Sequence, residues 1–179
     1  QPFIKQAMSG DGESDRLWRG NYVHQAIDLS LKRKSWVDPL AFGFVRQSLP
    51  EKNVVEAAIL EAKQSYDFLQ NYLAHADDYL PEVSLCGLAP DGLITGKADL
   101  VVTHEDRVEI IDYKSISLLF SGDGELAKDH DELKEELVHR GYDKQLDFYR
   151  QCLSNIHRDK PIVCSLFLTK NLTMVQMIP

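Results

Sequence analysis

The tightest constraint in the sequence is a pair of apolar runs, each interrupted by one aspartate. Leu93 to Thr103 and Arg107 to Lys114 are rich in Val and Ile and read as two strands. With Glu105-Asp106 as a two-residue turn, Leu100 falls opposite Ile111, Val101 opposite Ile110 and Asp99 opposite Asp112. Side chains alternate along a strand, so Lys114 projects on the side of Asp112. Both faces of the proposed hairpin are otherwise apolar, which places it in the covered centre of a sheet. Two opposed carboxylates there destabilise the pairing unless something compensates their charge.

Two compensations are open at this point. Lys114 can bridge the two acids as a structural network. Alternatively, a divalent cation can sit between hard oxygen ligands, with Mg²⁺ keeping some of its waters and taking phosphate oxygens. The second arrangement leaves room for a phosphodiester and an attacking water, which Lys114 would orient or whose charge it would offset. The spacing of Asp99, Asp112 and Lys114 alone does not choose between them.

Around this hairpin the chain of 179 residues reads as one domain of mixed α/β class. Residues 1–15 are polar and read as an irregular tail, and 16–78 as a helical N-terminal part. In the latter, Tyr22, Val23, Ala26, Ile27 and Leu31 recur at helical spacing. After Pro50 the set Val55, Ala58, Ile59, Ala62, Tyr66, Leu69, Leu73 and Ala76 makes a longer stripe. Residues 79–179 read as the sheet core. A strand over Glu82 to Leu88 enters the first hairpin through Pro90-Asp91-Gly92, and Ile162 to Thr169 and Met174 to Ile178 close a terminal hairpin. Between them, 121–140 reads as a helix-compatible but heavily charged, solvent-facing insertion, followed by a helix with Leu146, Tyr149, Cys152, Leu153 and Ile156 on one stripe.

Composition narrows the class. No apolar run is long enough to span a membrane. The opening Gln1-Pro2 carries no signal-peptide pattern and reads as the start of a processed or excised chain. Cys86, Cys152 and Cys164 are odd in number and lack CxxC spacing, which fits buried thiols in a reducing cytoplasm and gives no iron–sulfur or zinc ligand set. The net charge of −8 argues against capture of nucleic acid by bulk charge. Half of it, however, comes from segment 121–140, with seven acids against three bases, and three more charges come from Glu82, Asp99 and Asp112.

Four motifs in order carry a resemblance. Gly20-Asn21-Tyr22-Val23-His24 resembles a G-x-x-x-H helix motif, and Gly96-Lys97-Ala98-Asp99 resembles G-x-x-D. Ile111-Asp112-Tyr113-Lys114 resembles hydrophobic-D-Y-K, and Gln145-Leu146-Asp147-Phe148-Tyr149 resembles Q-x-x-x-Y. Together they are similar to the RecB-like branch of the PD-(D/E)XK nucleases, the nuclease domain of bacterial helicase–nucleases such as RecB and AddA. The resemblance covers residues 16–178 and implies a restriction-endonuclease-like core: a central mixed sheet flanked by helices, with an N-terminal helical segment. It implies a Mg²⁺- or Mn²⁺-dependent, exonuclease V-like deoxyribonuclease of DNA repair and recombination, with DNA and a helicase domain as partners. The alternative within the same fold is a catalytically silent scaffold or DNA-binding module.

Residue by residue, the resemblance implies metal ligation by His24, Asp99, Asp112 and the Tyr113 main-chain carbonyl, with Lys114 as the catalytic lysine. Glu82 matches a further acidic catalytic position, and Gln145 and Tyr149 line the site or the DNA path. On their own chemistry, Asp28 stands one turn from His24 and would orient its ring. Gly20 suggests a close approach of backbone or substrate. Lys97 would meet a phosphate or stay solvated, and Trp18 and Trp36 would stack on bases or pack in the core.

Overall fold

The computed structural model describes residues 12–43, 49–116 and 130–179. Helix α1 spans Glu13–Arg33 and α2 spans Lys52–Leu73. The first begins at Glu13 rather than Arg16, with Glu13 and Asp15 in its first turn and Lys32 and Arg33 in its last, so charges complement the helix dipole at both ends. The stripe of α2 buries Ala58, Ala62, Tyr66, Leu69 and Leu73 against Tyr22, Val23, Ala26 and Ile27 of α1. None of the described helices is long and apolar enough to cross a membrane.

The strands are β1 (Asp78–Ala89), β2 (Gly92–Thr103), β3 (Val108–Lys114), β4 (Ile162–Leu168) and β5 (Thr173–Ile178), side by side in that order. Pairing is antiparallel except between β3 and β4, which run parallel. That parallel step requires a crossover, and helices α3 (His130–His139) and α4 (Tyr142–Ser154) lie within it. The β2–β3 register is the expected one, with Leu100 opposite Ile111 and Val101 opposite Ile110. Its turn is closed by the His104 N–H donating to the Arg107 carbonyl at 2.8 Å.

Each face of the sheet carries its own core. Leu100, Val102, Ile111, Tyr113 and Phe167 pack under α1 and α2. Val101, Ile110, Cys164, Leu166 and Val175 pack under Leu133 and Leu137 of α3 and Leu146, Tyr149 and Leu153 of α4. The expected solvent-facing insertion is corrected here. Its 121–129 part lies outside the described residues, while 130–139 is helical and buries two leucines at i, i+4 spacing. Cys152 and Cys164 are buried as expected, but Cys86 is exposed.

One acid is sealed inside the sheet. Glu109 on β3 is 3% exposed and accepts hydrogen bonds from Tyr72 Oη at 2.7 Å and Ser165 Oγ at 2.7 Å, with His104 Nε2 3.0 Å away. Its lone pairs are occupied, which makes the burial tolerable.

Gly96 explains how closely α4 approaches the first hairpin. A Cβ there would lie 2.9 Å from Tyr149 Cε1 and 3.4 Å from Phe148 Cε1, so a side chain would push the helix away. Gly20 differs, because a Cβ there meets nothing within 4 Å. Gly96→Ala should therefore cost about 1–3 kcal/mol through overpacking. Gly20→Ala, in a helix interior, should stabilise by up to about 1 kcal/mol. Urea unfolding of both variants checks the contrast, and equal effects would contradict it.

Candidate active site

The ladder between β2 and β3 ends at Leu100–Ile111. Beyond it the strands part, and Asp99 Oδ2 accepts the Tyr113 N–H at 2.7 Å, the carboxylate standing in for a main-chain partner. On the other side of β2, pairing with β1 runs from Pro81–Leu100 to Val83–Ala98 and omits the Glu82–Asp99 step. Glu82 has φ +54°, in the left-handed region that non-glycine residues rarely adopt. Ala98 packs on the α4 side while Leu100, two positions on, packs on the α1–α2 side. The strand thus turns over at Asp99 and aims it into the parted seam.

Asp112, 4% exposed, faces the same seam, with Lys114 Nζ 2.8 Å from its Oδ2. The Lys114 ammonium is held from α4 as well. Gln145 Oε1 accepts from it at 3.3 Å, and it stands 4.8 Å from the centre of the Tyr142 ring. Gln145 Nε2 in turn donates to Tyr149 Oη at 2.8 Å, and Tyr149 rests against Gly96. From α1, His24 Nδ1 reaches to 3.6 Å from Asp99 Oδ1, with its ring edge-on to Tyr113.

The protonation energetics follow from this crowding. Burial first, then the Asp99 charge, push the Asp112 carboxyl up to about 7 despite Lys114. Burial works against ionisation of Asp99 too, but its contacts with His24 and the Tyr113 amide leave it below the ordinary carboxylate range. His24 and Lys114 are both raised: their burial is outweighed by Asp99 in one case and Asp112 in the other.

The remaining expected residues sit along one cleft. A cavity of about 1100 Å³ is lined by Gly20, Asn21, His24, Asp28, Glu82, Lys97, Asp99 and Tyr113, among others. Asp28 pairs with Lys32 at 2.7 Å, and no hydrogen bond to His24 accompanies it. Glu82 bonds to Lys32 at 2.9 Å and Lys97 at 2.5 Å. It is therefore engaged by Lys32 of α1 and by Lys97 on the cleft wall rather than by the Asp99–Asp112 pair. Trp18 stacks on Tyr22 and Trp36 tilts against Tyr66, both packed on the α1–α2 core.

Sequence reasoning missed a support behind Lys114. Ser115 Oγ donates to Glu61 Oε2 at 2.8 Å, and Arg19 lies 3.4 Å from the other oxygen of that 5%-exposed acid. The signal was present: Glu61 falls within the apolar stripe of α2, where an acid has no place unless it is bonded.

Among the described residues, no three acidic, histidine or cysteine side chains form a ready-made cation cage. The donor set nevertheless suits a hard divalent cation. Two crowded carboxylates and an imidazole face one seam, with Lys114 2.8 Å from Asp112 Oδ2.

No curated protein matches the chain. Among solved structures, the crystal structure of a provisionally named exonuclease from Eubacterium rectale is similar at 14% identity and a TM-score of 0.52. The alignment covers 93% of this chain and 60% of that one, and at this identity it shows the fold alone. A protein from Vibrio cholerae aligns at 11% identity over 68% of this chain and 40% of its own, with a TM-score of 0.27 that carries no argument. The model of the PD-(D/E)XK nuclease superfamily matches residues 4–175, a span that holds His24, Asp99, Asp112, Lys114 and Gln145 together, and the chain belongs to that superfamily.

Proposed function

We propose that this chain is a divalent-metal-dependent deoxyribonuclease, acting in the cytoplasm as the exonuclease module of a RecB/AddA-like helicase–nuclease in DNA repair and recombination. The observation that carries the hydrolytic reading is the parted seam, where Asp99 and Asp112 face each other and Lys114 stands 2.8 Å from Asp112. The exonuclease mode is supported by the name of the Eubacterium rectale relative, and the helicase context by the four motifs of the sequence.

His24, Asp99, Asp112 and the Tyr113 carbonyl would hold Mg²⁺ or Mn²⁺. Once bound, the ion supplies Lewis acidity toward the scissile phosphate and toward water. The chain's own residues do the rest. Lys114, raised in pKa and therefore cationic, offsets negative charge that develops on the phosphate. Gln145 fixes the lysine's direction, and Tyr149 fixes Gln145. Lys97, on the cleft wall, meets a backbone phosphate of the strand.

Incubation with linear single-stranded, linear duplex and circular DNA tests this reading. Cleavage should require Mg²⁺ or Mn²⁺, stop in EDTA and spare circles. Asp99→Ala and Lys114→Ala should each lower kcat by about 10²-fold or more. Cleavage that survives Asp99→Ala would sink the site, and wild-type inactivity on every DNA in both metals would sink the function.

A milder change probes the lysine's support. Tyr149→Phe removes the oxygen that accepts from Gln145 while keeping the ring against Gly96. Loss of one hydrogen bond of about 1 kcal/mol predicts a roughly fivefold fall in kcat with KM nearly unchanged. A change confined to KM would show that Tyr149 contacts DNA instead.

A further inference from the structure

We infer that Glu82 holds the place of a DNA backbone phosphate, its carboxylate bridging Lys32 and Lys97 as an internal anion that a phosphate of the substrate strand displaces. The inference rests on the reading of the cleft as a DNA site.

The geometry is that of an anion held between two cations. Glu82 Oε2 takes Lys32 Nζ at 2.9 Å, and Oε1 takes Lys97 Nζ at 2.5 Å. The two ammonium groups come from separate elements, α1 and β2, and converge on one carboxylate. A phosphodiester offers the same pattern: two terminal oxygens sharing one negative charge. Exchange of one for the other conserves both the charge and the number of ammonium contacts.

The site is also accessible and anchored. The side chains of Lys97, Lys32 and Glu82 are 61%, 44% and 38% exposed, so a strand in the cleft can reach all three. Lys32 is also held by Asp28 at 2.7 Å, whose side chain is 13% exposed and which itself lies against the Glu82 carboxylate, so Lys32 keeps one acidic partner when Glu82 leaves. Glu82 and Asp99 occupy the step that the β1–β2 pairing skips, between Pro81–Leu100 and Val83–Ala98, and both line the same cavity, which makes the phosphate Glu82 mimics a neighbour of the scissile one.

Two features argue against a simpler role. The lysines, Lys97 foremost, hold the Glu82 carboxyl down to about 2, so it does not exchange protons near neutral pH. Its left-handed backbone, φ +54°, is a conformation an ordinary strand residue avoids, and such outliers gather where function requires them.

Binding of a fluorescent dT oligonucleotide of about 20 nucleotides to the full chain, in EDTA across a salt series, tests the proposal without any cleavage. Glu82→Gln frees Lys97 and leaves Lys32 with Asp28 as its acidic partner. It should tighten binding several-fold at low salt and steepen the slope of log Kd against log salt by about 0.7 per recovered phosphate contact. Lys97→Met, an exposed change that leaves the fold intact, should weaken binding and flatten the slope by a similar amount. Unchanged affinity and slope in either variant, or no binding by any form, overturns the proposal. So does weaker binding by Glu82→Gln at an unaltered melting temperature. Metal-dependent cleavage by the wild type is scored separately, so failure of the nuclease reading is distinguishable from failure of this one.

Discussion

The structure is organised around the confrontation of Asp99 and Asp112 inside a sheet. Burial, and then the neighbouring Asp99 charge, raise the proton affinity of Asp112 to about 7, while Asp99 itself is kept below the ordinary carboxylate range. The surrounding elements supply what relieves this. The Tyr113 amide and His24 steady Asp99, and Lys114 steadies Asp112. Those partners are available only because the β2–β3 ladder opens one step beyond Leu100–Ile111. A continuous ladder would keep the Tyr113 N–H for a carbonyl and leave the acids without it.

That local requirement reaches outward through packing. Gly96 lets α4 approach near enough for Tyr149 and Gln145 to steer the Lys114 ammonium, and Glu61 of α2 secures Ser115 just beyond it. Both layers of helices therefore act on the same strand end. The helices hold the cores together and also set the angle of one lysine.

The elements of this fold were legible in the sequence because they rest on periodicity and apolar runs, and the register because it rests on a short turn. A two-residue Glu105-Asp106 turn between Val- and Ile-rich runs set the β2–β3 pairing, and the 3.6-residue stripes set α1, α2 and α4. The buried face of α3 was hidden because Leu133 and Leu137, one turn apart, stand among many charged residues. In the site, the motif residues His24, Asp99, Asp112, Lys114, Gln145 and Tyr149 converge from elements that the pattern had already placed. The partners of the secondary acids were not legible. Asp28 was expected to serve His24 and serves Lys32, because i, i+4 spacing offers both residues on one face and only the position of β1 decides between them.

The same pairing logic recasts the chain's acidity. Lys32, Lys97 and Lys114 line or approach the cleft, and each already holds a carboxylate within 2.9 Å: Asp28, Glu82 and Asp112 respectively. A polyanion reaching these three lysines meets cations whose charge is cancelled at short range, whatever the net charge of −8 contributes at long range. If Glu82 stands in for a phosphate, affinity at that position comes from exchange, with phosphate replacing an internal carboxylate rather than adding to a bare positive surface. Such a site discriminates by geometry, since only an anion that spans two ammonium groups can take the place of one that already does. It also favours a substrate presented in register over one captured at random from solution.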